Sequence, residues 1–361
     1  MLPDDARAER LAATTLALVD IPSESRHEAA VAEYVAAAVP EGLLRLAHRD
    51  AETLFWKTRR TGRPLVVLAG HLDTVPAQGN LPGRIEDGAV HGLGASDMKG
   101  GVAVMVEVAR WLAEEEPALA VDLGLLFFPR EELPAEESAL PELFAACPEI
   151  HEAELALMLE PTDNTVQAGC LGNLTAELVF HGESAHSARP WLGRNAIDGA
   201  VEELARILPL PTHEAVVGGL TFVEVATLTR IAGGIASNVV PNRVSCAINF
   251  RYAPDRSPAD AERRIEELLT GVGELRVLAN APPARVAADS PLLAALRTAG
   301  NFALEPKQAW TPVAEFDAAG IPALNLGPGA TRYAHRADEL VEIGELMRTF
   351  AALRRFLGGS V

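Results

Sequence analysis

Histidine and carboxylate side chains recur at the ends of apolar runs in this chain. Leu65–Ala69 leads into Gly70-His71-Leu72-Asp73, Leu123–Phe128 into Pro129-Arg130-Glu131-Glu132, and Leu155–Leu159 into Glu160-Pro161. Pro322–Leu326 leads through a glycine-rich loop to His335, and Asp97 stands just ahead of a Val- and Ala-rich stretch, Gly101–Leu112. Two imidazoles with several carboxylates and no cysteine suit a catalytic zinc site rather than a structural one. Mixed nitrogen and oxygen donors discriminate poorly, so cobalt or manganese suits the same set. A catalytic metal takes about three protein ligands plus water. His71, Asp97, Glu132, Glu160 and His335 make five candidate ligands, enough for two metals if one carboxylate is shared. Two adjacent metals can clamp an attacking water and a substrate oxygen. Glu131 is then left over as a general base. Each residue taken singly reads as a surface or hydrogen-bonded group; the recurrence at separate strand ends carries the argument.

The elements that must position these residues follow from the same pattern. The four apolar runs read as buried strands, and Gly101–Leu112 as a helix started by Ser96-Asp97, with the Asp97 carboxylate favoured by the helix N-terminus. Residues 6–19 and 28–39 read as amphipathic helices, and Ile343–Phe356 as a last helix. Strands alternating with helices predict an α/β fold whose catalytic domain has a mostly parallel central sheet flanked by helices. Ligands in such sheets sit beyond the carboxyl ends of the strands, which would let residues between positions 71 and 335 converge. His71 and Asp73, two apart on extended backbone, point the same way, so one can bind metal while the other supports it. From about Asn173 to Ala284 the pattern changes to alternating strands (LTAELVF, LTFVEVATL, VSCAINFRY) with helices at Ala196–Ile207 and Pro258–Leu269. That segment reads as an α+β domain, residues 173–284, inserted into a discontinuous catalytic domain of residues 1–172 and 285–361. Pro282-Pro283 marks the exit.

Composition bounds the function. The 361 residues are 48% hydrophobic and 22% charged, enough apolar material for two cores. A net charge of -19 argues against nucleic acid or an anionic membrane as partner. A locally cationic site for an anionic substrate remains compatible with it. Three scattered cysteines, Cys147, Cys170 and Cys246, form no CxxC pair and suit a reducing compartment. No run of about 18 apolar residues occurs, and the polar, acidic start does not read as a signal peptide, so a cytoplasmic location is expected.

The segments His71-Leu72-Asp73-Thr74-Val75-Pro76 and Gly94-Ala95-Ser96-Asp97-Met98-Lys99-Gly100-Gly101 resemble the signature of the di-zinc deacylases and exopeptidases. That family includes desuccinylases, deacetylases, carboxypeptidases and aminoacylases, and the resemblance covers nearly the whole chain. It implies that His71 binds the first of two zinc ions per subunit, that Asp73 orients it, and that Asp97 bridges both ions. Glu131 is then the general base, Glu132 and His335 bind the second ion, and Glu160, before Pro161, binds the first. His186 in Ala185-His186-Ser187-Ala188-Arg189-Pro190 looks like the histidine that reaches a neighbouring subunit's site and polarises the scissile carbonyl, which implies a homodimer. Arg189 beside it, Gly233-Gly234 and Ser237-Asn238-Val239-Val240-Pro241 look like substrate contacts. Arg251 looks like the residue that grips a substrate carboxylate, a task its planar fork suits. Arg251 and Asn238 would together hold the carboxylate end.

Two departures stand out. Leu133-Pro134 follows the glutamate pair where many relatives have glycine, and Glu136-Glu137 offers a second register. Ala309-Trp310-Thr311-Pro312 replaces a Gly-Thr-Ser-Asp stretch of many desuccinylases. Glu160-Pro161-Thr162, His186–Trp191 and Gly193–Ile197 nonetheless look closest to the desuccinylase branch. This implies hydrolysis of N-succinyl-LL-2,6-diaminopimelate to succinate and LL-2,6-diaminopimelate, a step of lysine synthesis. An acetylornithine deacetylase, aminoacylase, carboxypeptidase or dipeptidase on the same frame is the alternative within enzymology. A catalytically silent metal-binding or interaction protein is the alternative outside it, and a mononuclear or structural metal site is a third.

Overall fold

A computed structural model of the chain describes residues 3–359. The chain divides into two compact units. The first comprises the residues up to Ala168, Ala287–Glu305 and those from Glu315 onward; the second comprises Gly169–Val286 and Pro306–Ala314.

The first unit is built on an eight-stranded sheet. Its centre runs Asp122–Phe128, Leu65–His71, Ala153–Met158 and Ala323–Asn325, each pair of neighbours parallel. Leu65–His71 and Asp122–Phe128 are buried at every residue. Unbroken apolar sequence is what a parallel strand covered on both faces requires. The sheet is extended by the hairpin Leu44–Asp50 and Thr53–Thr58, a pair of strands that the sequence reading missed. The hairpin is rich in polar residues, and the buried Lys57 is tolerated because its Nζ lies 2.6 Å from Glu149 Oε2. Helices Asp4–Val19, Gly100–Glu115 and Ile343–Gly358 pack together beside this sheet. A buried charge network, Arg7 and Arg10 on Glu107, ties the first two of these helices.

Two glycines set the spacing at the strand ends. A Cβ at Gly101 would meet the carbonyl oxygen of Leu159 at 2.3 Å, and one at Gly327 would meet the Glu160 carbonyl oxygen at 2.6 Å. Only hydrogen fits where helix and loop press on the backbone that carries Glu160.

The second unit is a five-stranded antiparallel sheet with helices Ala196–Ile207 and Pro258–Leu268. Alternate residues of its strands, Leu174, Ala176, Leu178 and Phe180 with Val244, Cys246, Ile248 and Phe250, meet Ala200, Leu204, Ala261 and Ile265 of the helices in one core. Asn195 caps the first helix by accepting the Ile197 N–H. Ser257 and Asp260 form a reciprocal capping box at the second. All three cysteines are buried. No helix among the described residues is long and apolar enough to cross a membrane.

Candidate metal centre

The residues at the carboxyl ends of the parallel strands meet. Ligand atoms of His71, Asp97 and Glu160 lie within 4.8 Å of one another, as do those of His71, Glu131 and Glu132, and those of Asp97, Glu132 and His335. Asp97 is the common member of the first and third groups. Its Oδ1 lies 3.1 Å from His71 Nε2 and its Oδ2 lies 3.4 Å from His335 Nε2. Glu132 Oε1 is 3.0 Å from the same His335 nitrogen, and Glu160 Oε1 is 3.9 Å from that of His71. Glu136 and Glu137 lie outside the cluster, on a short turn where Glu137 pairs with Arg26.

Asp97 does not start a helix, as the sequence reading had it. It lies at φ −120°, ψ 94° inside a wide turn, Ala95–Lys99, and the helix begins at Gly100 without a side-chain cap. An extended residue inside a turn aims its carboxylate at the histidines rather than at helix N–H groups.

Backbone donors hold the loops. Asp73 Oδ1 accepts the Glu131 N–H at 3.0 Å, and its Oδ2 accepts the Glu132 N–H at 3.1 Å and the Ser25 hydroxyl at 2.7 Å. Glu28 Oε1 accepts the Arg130 N–H at 3.2 Å, where the backbone takes the left-handed φ of 65°. Glu339, 2% exposed, accepts N–H bonds from Gly94, Ser96 and Asp97. Sequence reasoning missed Ser25, Glu28 and Glu339, because a carboxylate that binds backbone leaves no spacing signature. His335 also adopts a left-handed φ, 60°, and its carbonyl accepts from Gln78 Nε2 at 2.9 Å.

Electrostatics follow from the crowding. Burial and the charges of Glu160, Glu132 and Asp97 push the Glu131 carboxyl well above its ordinary range, against the pull of His71. Burial opposes ionisation of Asp97, yet hydrogen bonds from His335 and His71 hold it well below the usual carboxylate range. Hydrogen bonds to Asp97 and Glu132 push His335 up to about 10. Burial alone would lower His71, but Asp73 and Asp97 raise it well above its ordinary value. Burial takes Glu339 up to about 7 and Lys99 down to about 8. Four acidic groups packed round two imidazoles call for added positive charge, which protons on the histidines or divalent cations can supply. The donor set, imidazole and carboxylate with one carboxylate between two imidazoles, fits a pair of such cations.

The remaining candidates lie in the second unit. His186 and Asn238 share a loop cluster: His186 bridges to Val239, the Ser187 N–H donates to the Asn238 carbonyl at 2.9 Å, and the Arg189 N–H donates to the His186 carbonyl at 2.8 Å. His186, Arg189, Gly234 and Asn238 are all exposed. Arg251 is partly buried, and its Nε donates to Asn249 Oδ1 at 2.7 Å. Register separates it from the others. Val225 faces Arg251, whereas Gly233, next to Gly234, faces Val244 at the other end of the same strand pair. Seven residue steps of strand, roughly 23 Å, separate Val244 from Arg251. Arg251 therefore stands at the opposite end of that strand pair from the loop that carries Asn238.

The chain is similar to several known proteins. A "Putative succinyl-diaminopimelate desuccinylase DapE" of Mycobacterium tuberculosis (strain ATCC 25618 / H37Rv) is 40% identical over 349 residues, 96% of this chain and 97% of that protein. A succinyl-diaminopimelate desuccinylase of Corynebacterium glutamicum is 35% identical over 354 residues, 95% of each chain. Among solved structures, aminopeptidase PepT from Bacillus cereus superposes with a TM-score of 0.77 at 21% identity, over 97% of this chain and 98% of that one. A metallo-carboxypeptidase from Sulfolobus solfataricus gives 0.77 at 17% identity, over 96% and 98%. The profile of peptidase family M20/M25/M40 matches residues 67–358, and the chain belongs to that family.

Proposed function

We propose that this hydrolase cleaves the amide bond of N-succinyl-LL-2,6-diaminopimelate, with two zinc ions per chain and with cobalt as a workable substitute. The substrate assignment rests on the two desuccinylase-named relatives, which align along nearly the full chain. One observation carries the metal reading: the Asp97 carboxylate offers separate oxygens to the sides of His71 and His335. His71 and Glu160 would hold one cation, Glu132 and His335 the other, with Asp97 shared. A pair of bound cations would supply Lewis-acid polarisation of the amide carbonyl and acidification of water.

The chain's own groups do the rest. Glu131, whose proton affinity is raised by burial and by neighbouring carboxylates, takes the proton of the attacking water. As the carbon–nitrogen bond breaks, the same carboxyl returns that proton to the departing amine. Asp73 holds the backbone of the glutamate pair and supports the His71 ring. His186 donates to the developing oxyanion, and Arg251 binds a substrate carboxylate.

The second unit serves as a dimerisation element in this reading. His186, Arg189, Gly234 and Asn238 act in the partner's site, which accounts for the distance between Asn238 and Arg251 along one sheet. Two features support a homodimer. Val225–Gly233 pairs with one neighbouring strand and, among the described residues, has no strand on its other side. The helix Ala196–Ile207 and its flanks expose Trp191, Leu192, Ile197, Val201 and Leu208. An open strand edge and an exposed apolar helix face in one unit are suited to a two-fold contact.

The test is a panel assay on the zinc-loaded protein: N-succinyl-LL-2,6-diaminopimelate, N-acetylornithine, N-acyl amino acids and dipeptides. The reading expects the succinylated diaminopimelate to give the highest kcat/KM. Preference for N-acetylornithine or a dipeptide would move the protein to another branch of its family. No hydrolysis of any compound by a metal-replete protein would support the silent-relative reading.

A further inference from the structure

Glu339 touches none of the candidate ligand atoms, yet it accepts from the backbone on which one of them stands. Its Oε2 accepts the Gly94 N–H at 2.9 Å, and its Oε1 accepts those of Ser96 and Asp97, each at 3.0 Å. Its own carbonyl accepts the Gly92 N–H at 3.0 Å. The turn from Gly94 to Lys99 is not a regular helix, so most of its N–H groups lack the partners a ladder provides. One carboxylate replaces that ladder. Gly94 takes the left-handed φ of 76°, which turns its N–H toward the same acceptor as the others.

Chain position adds a second consequence. Glu339 is four residues beyond His335 and immediately precedes the short strand Leu340–Glu342. That strand pairs with Ala89–His91, so the segment is anchored just ahead of the turn. A single stretch thus carries one candidate ligand, His335, and the clamp on another, Asp97. The two lie 3.4 Å apart, His335 Nε2 to Asp97 Oδ2.

We propose that Glu339 is a positioning residue for the metal pair, holding the Asp97 turn in register with His335 and so setting cation affinity. The proposal rests on the two-metal reading above. The chemistry is specific to a carboxylate. An amide in its place keeps one acceptor oxygen, and whichever way it is turned its NH2 faces at least one backbone N–H.

The test is cobalt binding by Glu339→Gln beside the wild type. Calorimetric titration and visible cobalt absorption are the readouts, with circular dichroism and thermal melting to check the fold. Wild type should bind about two cobalt ions per chain. The variant should keep its circular dichroism, bind at least one ion about tenfold or more weakly and show an altered cobalt spectrum. Its kcat should fall and recover partly in excess cobalt, with KM near wild type. Wild-type affinity and spectrum in the folded variant would overturn the proposal. A wild type that binds no cobalt would instead overturn the metal reading beneath it. If Glu339→Gln does not fold, Glu339→Asp decides in the same way. It keeps both oxygens but withdraws them by one methylene, so weakened cobalt binding supports the role and unchanged binding refutes it.

Discussion

Asp73 Oδ1 accepts the backbone N–H of Glu131 at 3.0 Å, while its other oxygen takes the next N–H along, that of Glu132. The carboxylate sits 3.5 Å from His71 Nδ1, so one buried group ties the glutamate pair to the histidine strand. Exchange of Asp73 for Asn sets an NH2 against one of those N–H donors. We expect Asp73→Asn to lose about 1–3 kcal/mol of stability for the unsatisfied donor, and at least tenfold in kcat because both glutamates shift. Ser25→Ala removes only one of the hydrogen bonds to that carboxylate and should cost about 1 kcal/mol with most turnover retained. Urea melts with steady-state kinetics check both, and an Asp73→Asn enzyme of full kcat would contradict the coupling.

Glu131 is the group assigned to proton transfer. Glu131→Ala should retain its cations, since the remaining five side chains still surround them, and lose about 10²–10⁴ in kcat. Metal analysis after dialysis, with turnover measured on the same sample, separates the two effects. Turnover close to wild type would remove Glu131 from the mechanism.

Sharing of sites between subunits can be read by complementation. Arg251→Ala and His186→Ala homodimers should each be nearly inactive. In a mixed dimer one site receives both lesions and the other receives neither, so random pairing restores about a quarter of wild-type activity. Co-expression of the two variants and assay of the purified mixture tests this. No gain over the parent homodimers would place His186 in its own chain's site or outside catalysis.

Glu315, partly buried and hydrogen-bonded to Ser138, gives a pH signature of its own. Burial raises its carboxyl from 4.5 to about 7 against a hydrogen bond from Ser138 that lowers it. The folded state therefore holds a proton that the unfolded chain has released between about pH 4.5 and 7. The associated stability is present below the lower value and is lost as pH rises through the upper one. Glu315→Gln should be more stable than wild type at pH 8 by about 2 kcal/mol, a figure reduced for partial exposure, and should match it near pH 4.5. Denaturant melts at the two pH values measure the difference. An equal gain at both would mean that the carboxyl's ionisation is not responsible.

The local code was legible wherever one residue type and one period sufficed. The continuous apolar strands before His71, Glu131 and Glu160 could be read because a covered parallel strand admits almost nothing else. The helix Ala196–Ile207 has the bounds the sequence reading gave it. The hairpin Leu44–Thr58 could not be read, because burial of its Lys57 depends on Glu149, a residue from a distant segment. The Asp97 turn was misread as a helix start for a similar reason. Its conformation is dictated by the carboxylate of Glu339, 242 positions away.

The amino-acid order by itself determined which side chains are able to bind cations and move protons, and which segments become strands that deliver them, because donor chemistry and hydrophobic period are local properties. Only the tertiary structure decided that Asp97 lies between His71 and His335, that Glu339 and Asp73 hold the loops, and that Arg251 and Asn238 stand at opposite ends of one sheet. Those are distances across the chain, and they are set by strand register and by buried hydrogen bonds between segments remote in sequence.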